Sequence, residues 1–306
     1  MSITVLEPVR ELRTPGLARG TVRAAARRSL ARRRMLGRGA AVVCAAFALL
    51  ALVPLVTLVS YTVARGAHAL SIGFLVHEPT PPTIPGGGIA NAIVGTAVIL
   101  GLAMVMAVPV GIAAALFLLE RKGRLADTVR FAADVLTGVP SIAIGIFAYV
   151  VLVQPLGHFS GLSGSFALAV LMLPIVIRSS EAAMRAVPDD LREAGLALGA
   201  RRGRVARSVV LRGALGGIVT GNLLAMARAV GETAPLLFTA IGSSFFTLSP
   251  SRPMAAMPLV VWEQGTQAFA AAQQTAWGTA LVLLVLVLVI SVAARAVAAR
   301  LGRRAR

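Results

Sequence analysis

Cysteine occurs once, at Cys44 inside an apolar run, so the chain offers neither an internal disulfide framework nor a cysteine-based metal site. A small buried hydrophobe is the expected role of that side chain. Histidine is almost as scarce: His68, His77 and His158 stand far apart, without the spacing a metal site needs. Lysine also occurs once, at Lys122 in the run ERKGR, and there is no G-x-x-x-x-G-K-[ST] loop to cradle a nucleotide phosphate. Asp and Glu number 12 against 30 Lys and Arg, and no carboxylate pair has metal-binding spacing. A non-catalytic chain that holds no metal or cofactor of its own is expected, and any energy source must belong to a partner.

What the sequence has in excess is apolar length. Of 306 residues 57% are hydrophobic and only 14% charged, and the apolar residues fall in long runs at wide spacing, the pattern of an all-α membrane protein that crosses the bilayer several times. Against the ~20 apolar residues that a bilayer requires, six spans stand out, at 39–63, 89–119, 131–153, 165–177, 214–241 and 276–292. The fourth is short, and it is expected to continue as helix through 178–187 because no breaker precedes Pro188. The second carries Pro109, which predicts a kink or tilt. Gly and Ala crowd the second and third spans, so they read as bundle interior. The bulky branched sixth, ALVLLVLVLVISV, reads as a peripheral helix facing lipid.

All but three of the Lys and Arg residues lie before the first span, after the second, after the fourth or in the tail. That asymmetry places both termini and these loops in the cytoplasm. The net charge of +18 is then topogenic, and nucleic acid is excluded as a partner. Residues 1–38 form a basic arm without strong apolar periodicity, expected to be disordered or to lie on anionic membrane lipid. Span one at 39–63 is too long for a signal-peptide core and is expected to stay as an anchor. Residues 64–88 form an external loop in which HEPTPPTIPGGGI excludes helix, a stiff element suited to touching an external partner. The body made by spans two to six occupies 89–292 with a cytoplasmic loop at 178–213, and 293–306 is a basic tail.

Within that loop Pro188 ends one helix. Asp190 is positioned to N-cap the next, with Glu193 as its capping-box partner, and the helix stops near Gly199. Leu191, Ala194 and Leu198 share one face. Such a helix suits docking into a partner, or resting on the membrane surface. A second basic helix, ARRGRVARSVVLRG, returns the chain to the membrane. The spacing Glu193-Ala194-Gly195, Gly199, Val209, Leu211 resembles the EAA loop of ABC importer permeases (E-A-A, three residues, G, nine residues, I-x-L-P). Gly195, Val209 and Arg212 replace alanine, isoleucine and proline. The resemblance implies a coupling helix seated on an ATPase subunit, with Leu191, Glu193, Ala194, Gly195, Leu198 and Gly199 at the contact.

In the fifth span, Arg228 is expected at the centre and Glu232 one turn beyond. An arginine at that depth costs ~2.5–3.5 kcal/mol on the lenient insertion scale and must face the bundle interior or water. Gly217, Gly221, Ala225, Arg228 and Glu232 follow helical spacing along one stripe. Two readings stand: a structural i, i+4 ion pair, or an anion station in which the guanidinium grips a tetrahedral oxyanion. In the second reading Glu232 accepts a hydrogen bond from protonated phosphate, which sulfate cannot offer. Thr233 and Asn222 complete the candidate path.

The run ARAVGETAPLLFTA is similar to the signature of phosphate-specific ABC importer permeases of the A type. GGGIANAIVGT, VPVGIAAALFLLE, LTGVPSIAIGIF and LPIVIRSSEAAMRAVPDDLREAGLALGA agree, so the resemblance covers residues 86–258. It implies the six-helix type I permease fold and a multi-pass inner-membrane location. It also implies a homologous C-type permease, two copies of an ATP-binding subunit that uses the ATP, and an external phosphate-binding protein. Sulfate or molybdate as the substrate, and a membrane scaffold or sensor, are the alternatives.

Overall fold

The computed structural model describes residues 16–84 and 86–304, and side chains from residue 37 to residue 300 with residue 85 excepted. The chain divides into two units, 1–61 and 62–306. The first is most of α1 (Gly16–Gly66), a single helix that contains Pro54. The basic arm from Gly16 onward is thus helix continuous with the first span. Alanine and arginine are strong helix formers, so helix there needs no apolar stripe. Residues 1–15 lie outside the described residues. Cys44 is exposed rather than buried, one of a series of outward apolar side chains that includes Phe47 and Leu50.

The second unit is helical. After a 3-10 turn at Ala67–Ala69 comes α2 (Ile72–Val76), with the Ser71 hydroxyl accepting from the Phe74 amide at 3.0 Å. Helix therefore occupies part of the loop expected at 64–88, and irregular chain begins only after it. The N–H of Gly88 donates to Glu78 and that of Ile89 to Phe74. Then follow α3 (Ala90–Glu120), α4 (Arg124–Gly138), α5 (Ser141–Ala148), a π segment at Tyr149–Val153, α6 (Gln154–Leu156) and α7 (Gly161–Arg185). Beyond Pro188 lie α8 (Asp189–Ala197), α9 (Arg202–Val205), a second π segment at Ala206–Val210 and α10 (Leu211–Ala229). The chain closes with α11 (Ala234–Leu237), α12 (Met257–Gly265) and α13 (Ala270–Arg304).

Among the described residues five helical stretches are long and apolar enough to cross a membrane, or six if a bent pair counts as one. The bent pair replaces the straight span expected at 131–153: α4 and α5–α6 meet at 107°. Pro140 lacks an amide hydrogen and pushes Val139 out of the helical region, where it sits at φ −70°, ψ 129°. The fourth span extends to Arg185 as expected. The second basic helix is not separate, because α9, its π segment and α10 run on as one stretch, Arg202–Ala229.

α7 is the central helix. Some 61% of its most apolar window is buried, against 28% in α3 and 17% in α13, so α13 is peripheral as expected while the interior belongs to α7. Its faces are apolar and small, and Leu168, Met172 and Val176 pack against Ile99, Ala103 and Ala107 of α3 and Ala225 and Ala229 of α10. Glycine permits the closest approaches. A Cβ on Gly217 would lie 2.6 Å from Ala183, one on Gly221 2.5 Å from Ser179, and one on Gly164 3.1 Å from Leu236. These pairs, 217 with 183, 221 with 179 and 236 with 164, keep one antiparallel register, which sets Arg228 level with Met172 near the middle of α7.

Candidate functional site

α10 does not reach Ile241. It ends at Ala229, followed by a turn at Val230–Gly231 and then the four-residue α11. The physical cause lies downstream, because the ring of Pro235 would clash with the carbonyl of residue 231 in a continued helix, and Gly231 is a poor helix former that offers the exit. Arg228 therefore stands in the last turn of α10 rather than at the middle of a longer helix. It is nonetheless at mid-depth of the bundle, because α10 itself stops halfway along α7. A cation in the last turn complements the carbonyl end of a helix.

The structure does not join Arg228 and Glu232 as an i, i+4 pair. Among the described residues Arg228 makes no ion pair or side-chain hydrogen bond, and its side chain is exposed. Glu232 is half-buried just past the helix end, its N–H donating to Ala229 at 3.1 Å. Thr233 follows, its carbonyl accepting from the amides of Leu236 and Leu237 at 3.1 and 3.2 Å. Asn222 is elsewhere. Six residues back is roughly 120° around a helix, and Asn222 is 6% exposed on the side of Ile218, Ala225 and Ala229 that packs into the core. Its Oδ1 has no hydrogen-bond partner among the described residues. Arg228, Glu232 and Thr233 are thus brought to one break in the chain, and Asn222 is not among them.

At the arginine-rich end of the bundle, α8 stands free on one side. Leu191 is 51% exposed and Leu198 89%, with Glu193 and Ala194 exposed between them. The other side is held: Gly195 faces Val205, which a Cβ would approach to 3.1 Å, and Arg192 Nη2 donates to the carbonyl of Met184 at 2.7 Å. α9 crosses close to Gly195, which leaves little room for a side chain there. Gly199 takes φ +79°, the left-handed geometry that ends a helix, and the amides of Gly199 and Ala200 donate to Leu196 and Gly195. The expected cap is corrected: Pro188 occupies the N-cap without a side-chain bond, because its extended ψ of 137° brings Asp189 and Asp190 into the first turn. There they act through the helix dipole.

One cluster was not anticipated. Glu181, whose side chain is 6% exposed, accepts from Arg130 Nε at 3.3 Å, Arg178 Nη1 at 3.3 Å and Arg185 Nη2 at 2.7 Å. Arg178 also bonds Asp134, and Arg130 Nη2 donates to Leu118 O at 2.9 Å. The cluster ties α3, α4 and α7 together. The Arg178, Glu181, Arg185 spacing along one helix face was visible in the sequence, but the partners on α4 were not. Glu263 on α12 was also missed. It is half-buried beside Gly242, its carboxylate without an ion pair or hydrogen bond among the described residues, and burial pushes that carboxyl above the ordinary value. No group of three His, Cys, Asp or Glu among the described residues could hold a metal ion.

Residues 107–306 match the family described as "Binding-protein-dependent transport system inner membrane component". The chain belongs to this family of transporter permeases. It is 40% identical over 276 residues to the phosphate transport system permease protein PstA of Yersinia pestis, covering 90% of this chain and 94% of that one. Its identity to the PstA of Xylella fastidiosa strain Temecula1 is 39% over 272 residues, with 88% and 94% covered. PstA 1 of Mycobacterium tuberculosis strain CDC 1551 is 39% identical over 250 residues, with 80% and 82% covered. Among solved structures, the inward facing methionine ABC transporter MetNI superposes with a TM-score of 0.56 at 21% identity, covering 70% of this chain and 94% of that chain. The fold is that of an ABC importer permease, and as a family member the chain is a multi-pass inner-membrane component.

Proposed function

We propose that the chain is one half of the translocation path of an ATP-driven phosphate importer. The observation that carries this reading is the uncommitted Arg228 at a helix end halfway through the bundle. Broken helices at mid-membrane are where transporters place substrate. A free guanidinium offers two parallel donors to a tetrahedral oxyanion, and Glu232, four residues on, supplies an acceptor for a phosphate proton that sulfate lacks. Thr233 adds a hydroxyl. The names of the relatives, phosphate permeases matched over about nine tenths of this chain, support the same substrate.

The arginine-rich end is cytoplasmic in this reading, and the exposed face of α8 docks an ATP-binding subunit, of which the importer has two. A homologous C-type permease completes the path, and an external phosphate-binding protein delivers to it. ATP is bound and hydrolysed by the partner. Pressure on α8 reaches α7 through the Arg192 to Met184 bond and α10 through Gly217 and Gly221 on Ala183 and Ser179. The end of α10 that carries Arg228 then opens alternately to each side.

The test is ATP-dependent uptake of labelled phosphate by the assembled importer in proteoliposomes, with sulfate and molybdate in excess. Phosphate uptake that neither competitor reduces is expected. Competition by either would reassign the substrate. A Glu232→Gln variant is expected to lose this discrimination, and a variant in which sulfate still fails to compete would refute the role given to Glu232.

A further inference from the structure

Where α3 ends, a cavity of about 670 Å³ opens between the last two turns of α3, the start of α4 and the π segment before α10. Its walls are apolar: Leu116 and Phe117 come from α3, and Leu125, 66% exposed, comes from α4. Its rim is cationic. Arg121 and Lys122 occupy the connection between α3 and α4, and Arg207 comes from the π segment. Gly123, at φ +116°, makes that connection short enough to hold both cations beside the opening. Among the described residues none of the three makes an ion pair or a side-chain hydrogen bond, and Glu120 is the one acid on the lining.

The contrast with the neighbouring charges is informative. Arg130, Arg178 and Arg185, on the same end of the bundle, are all engaged with Glu181. The charge asymmetry accounts for cations at this end of the chain but not for an apolar hollow beneath three of them, and a transported inorganic anion would gain nothing from leucine and phenylalanine walls. A molecule with an anionic head and a hydrocarbon tail satisfies both halves. The cavity lies at the end of a helix long and apolar enough to cross a membrane, and cations near a membrane surface attract anionic head groups.

We propose that this cavity holds one anionic phospholipid, its head group on Arg121, Lys122 and Arg207 and an acyl chain against Leu116, Phe117 and Leu125. The bound lipid would brace the α3 to α4 connection against the segment that leads into α10. This assignment is independent of the transported substrate.

The full-length chain, purified in a neutral detergent, is titrated with phosphatidylglycerol or with phosphatidylcholine of the same acyl chains, and bound lipid is counted by native mass spectrometry. Wild type is compared with Arg207→Gln and with the triple variant Arg121→Gln, Lys122→Gln, Arg207→Gln. Lipid on the basic arm is common to all three and cancels in the comparison. A cation near a membrane surface contributes about 1 kcal/mol, roughly a fivefold change in affinity, so Arg207→Gln is expected to weaken phosphatidylglycerol binding about fivefold and the triple variant about 100-fold. Phosphatidylcholine should bind weakly and alike to all. A Leu125→Asn variant should weaken phosphatidylglycerol with every cation in place. The Arg207 single variant carries the test if the triple variant does not fold. Unchanged phosphatidylglycerol binding in Arg207→Gln, or equal binding of the two lipids by wild type, would overturn the proposal. So would displacement of phosphatidylglycerol by millimolar inorganic phosphate, which would make the cavity a free-anion site.

Discussion

Adding one methyl group at Gly221 tests the helix register that positions Arg228. The new Cβ in Gly221→Ala would lie 2.5 Å from both Cβ and Oγ of Ser179. Carbon atoms rest at roughly 3.5–4.0 Å, so α10 and α7 must part by about 1–1.5 Å. Turning the Ser179 hydroxyl relieves only the Oγ contact, because its Cβ is fixed to the backbone of α7. Overpacking of this kind costs about 1–3 kcal/mol. Gly101→Ala in α3 is the control, since nothing lies within 4 Å of its added Cβ, and restricting the unfolded chain there gains up to about 1 kcal/mol. Denaturant unfolding of the two purified variants in mild detergent should separate them by at least about 1 kcal/mol, with Gly221→Ala below wild type. Equal stabilities would refute the close α7 to α10 contact and the depth assigned to Arg228.

Glu181→Gln leaves Arg130, Arg178 and Arg185 without their shared carboxylate. The arginine side chains are 26%, 37% and 57% exposed, so they rehydrate in part and the expected loss is about 2 kcal/mol, below the 3–5 kcal/mol of a fully buried pair; unfolding measurements check it, and an unchanged stability would refute the clasp. Leu198→Asp and Glu193→Lys, on the exposed face of α8, should leave the melting temperature within about 1 °C of wild type, since surface changes move stability little, while abolishing co-purification of the ATP-binding subunit. Retained co-purification would refute α8 as the dock. Burial raises the Glu263 carboxyl above its ordinary 4.5, so its neutral form is favoured in the folded chain. Its contribution is complete below pH 4.5, falls as pH rises from there to the folded value, and levels off above it. Glu263→Gln should remove that decline from a stability-against-pH profile, and an unchanged profile would contradict the burial.

Much of the architecture was readable because it depends on length, charge and local breakers. The apolar runs, the extension of the fourth span to Arg185 and the end of α8 just before Gly199 follow from chemistry within a few residues. What was hidden depends on action at a distance along or across the chain. Pro235 breaks α10 at the residue four positions upstream, so the fifth span looked continuous and the Arg228 to Glu232 spacing looked like a helical pair. Pro140 bends the third span through its effect on Val139. Arg130 and Asp134 meet Glu181 and Arg178 across 51 and 44 residues, beyond any local pattern. Asn222 seemed part of a polar path by its type alone, and tertiary packing turned it toward the core.

The measurement that tests the central claim most directly is labelled phosphate uptake by the assembled importer carrying wild-type chain, Arg228→Ala or Arg228→Lys, with assembly verified by co-purification. A lost charged hydrogen bond is worth about 1.5–3 kcal/mol, so Arg228→Ala should reduce uptake about 10- to 100-fold. Arg228→Lys keeps the charge without the planar fork and should fall between. Uptake unchanged in Arg228→Ala, with the complex intact, would remove phosphate from this arginine and contradict the account.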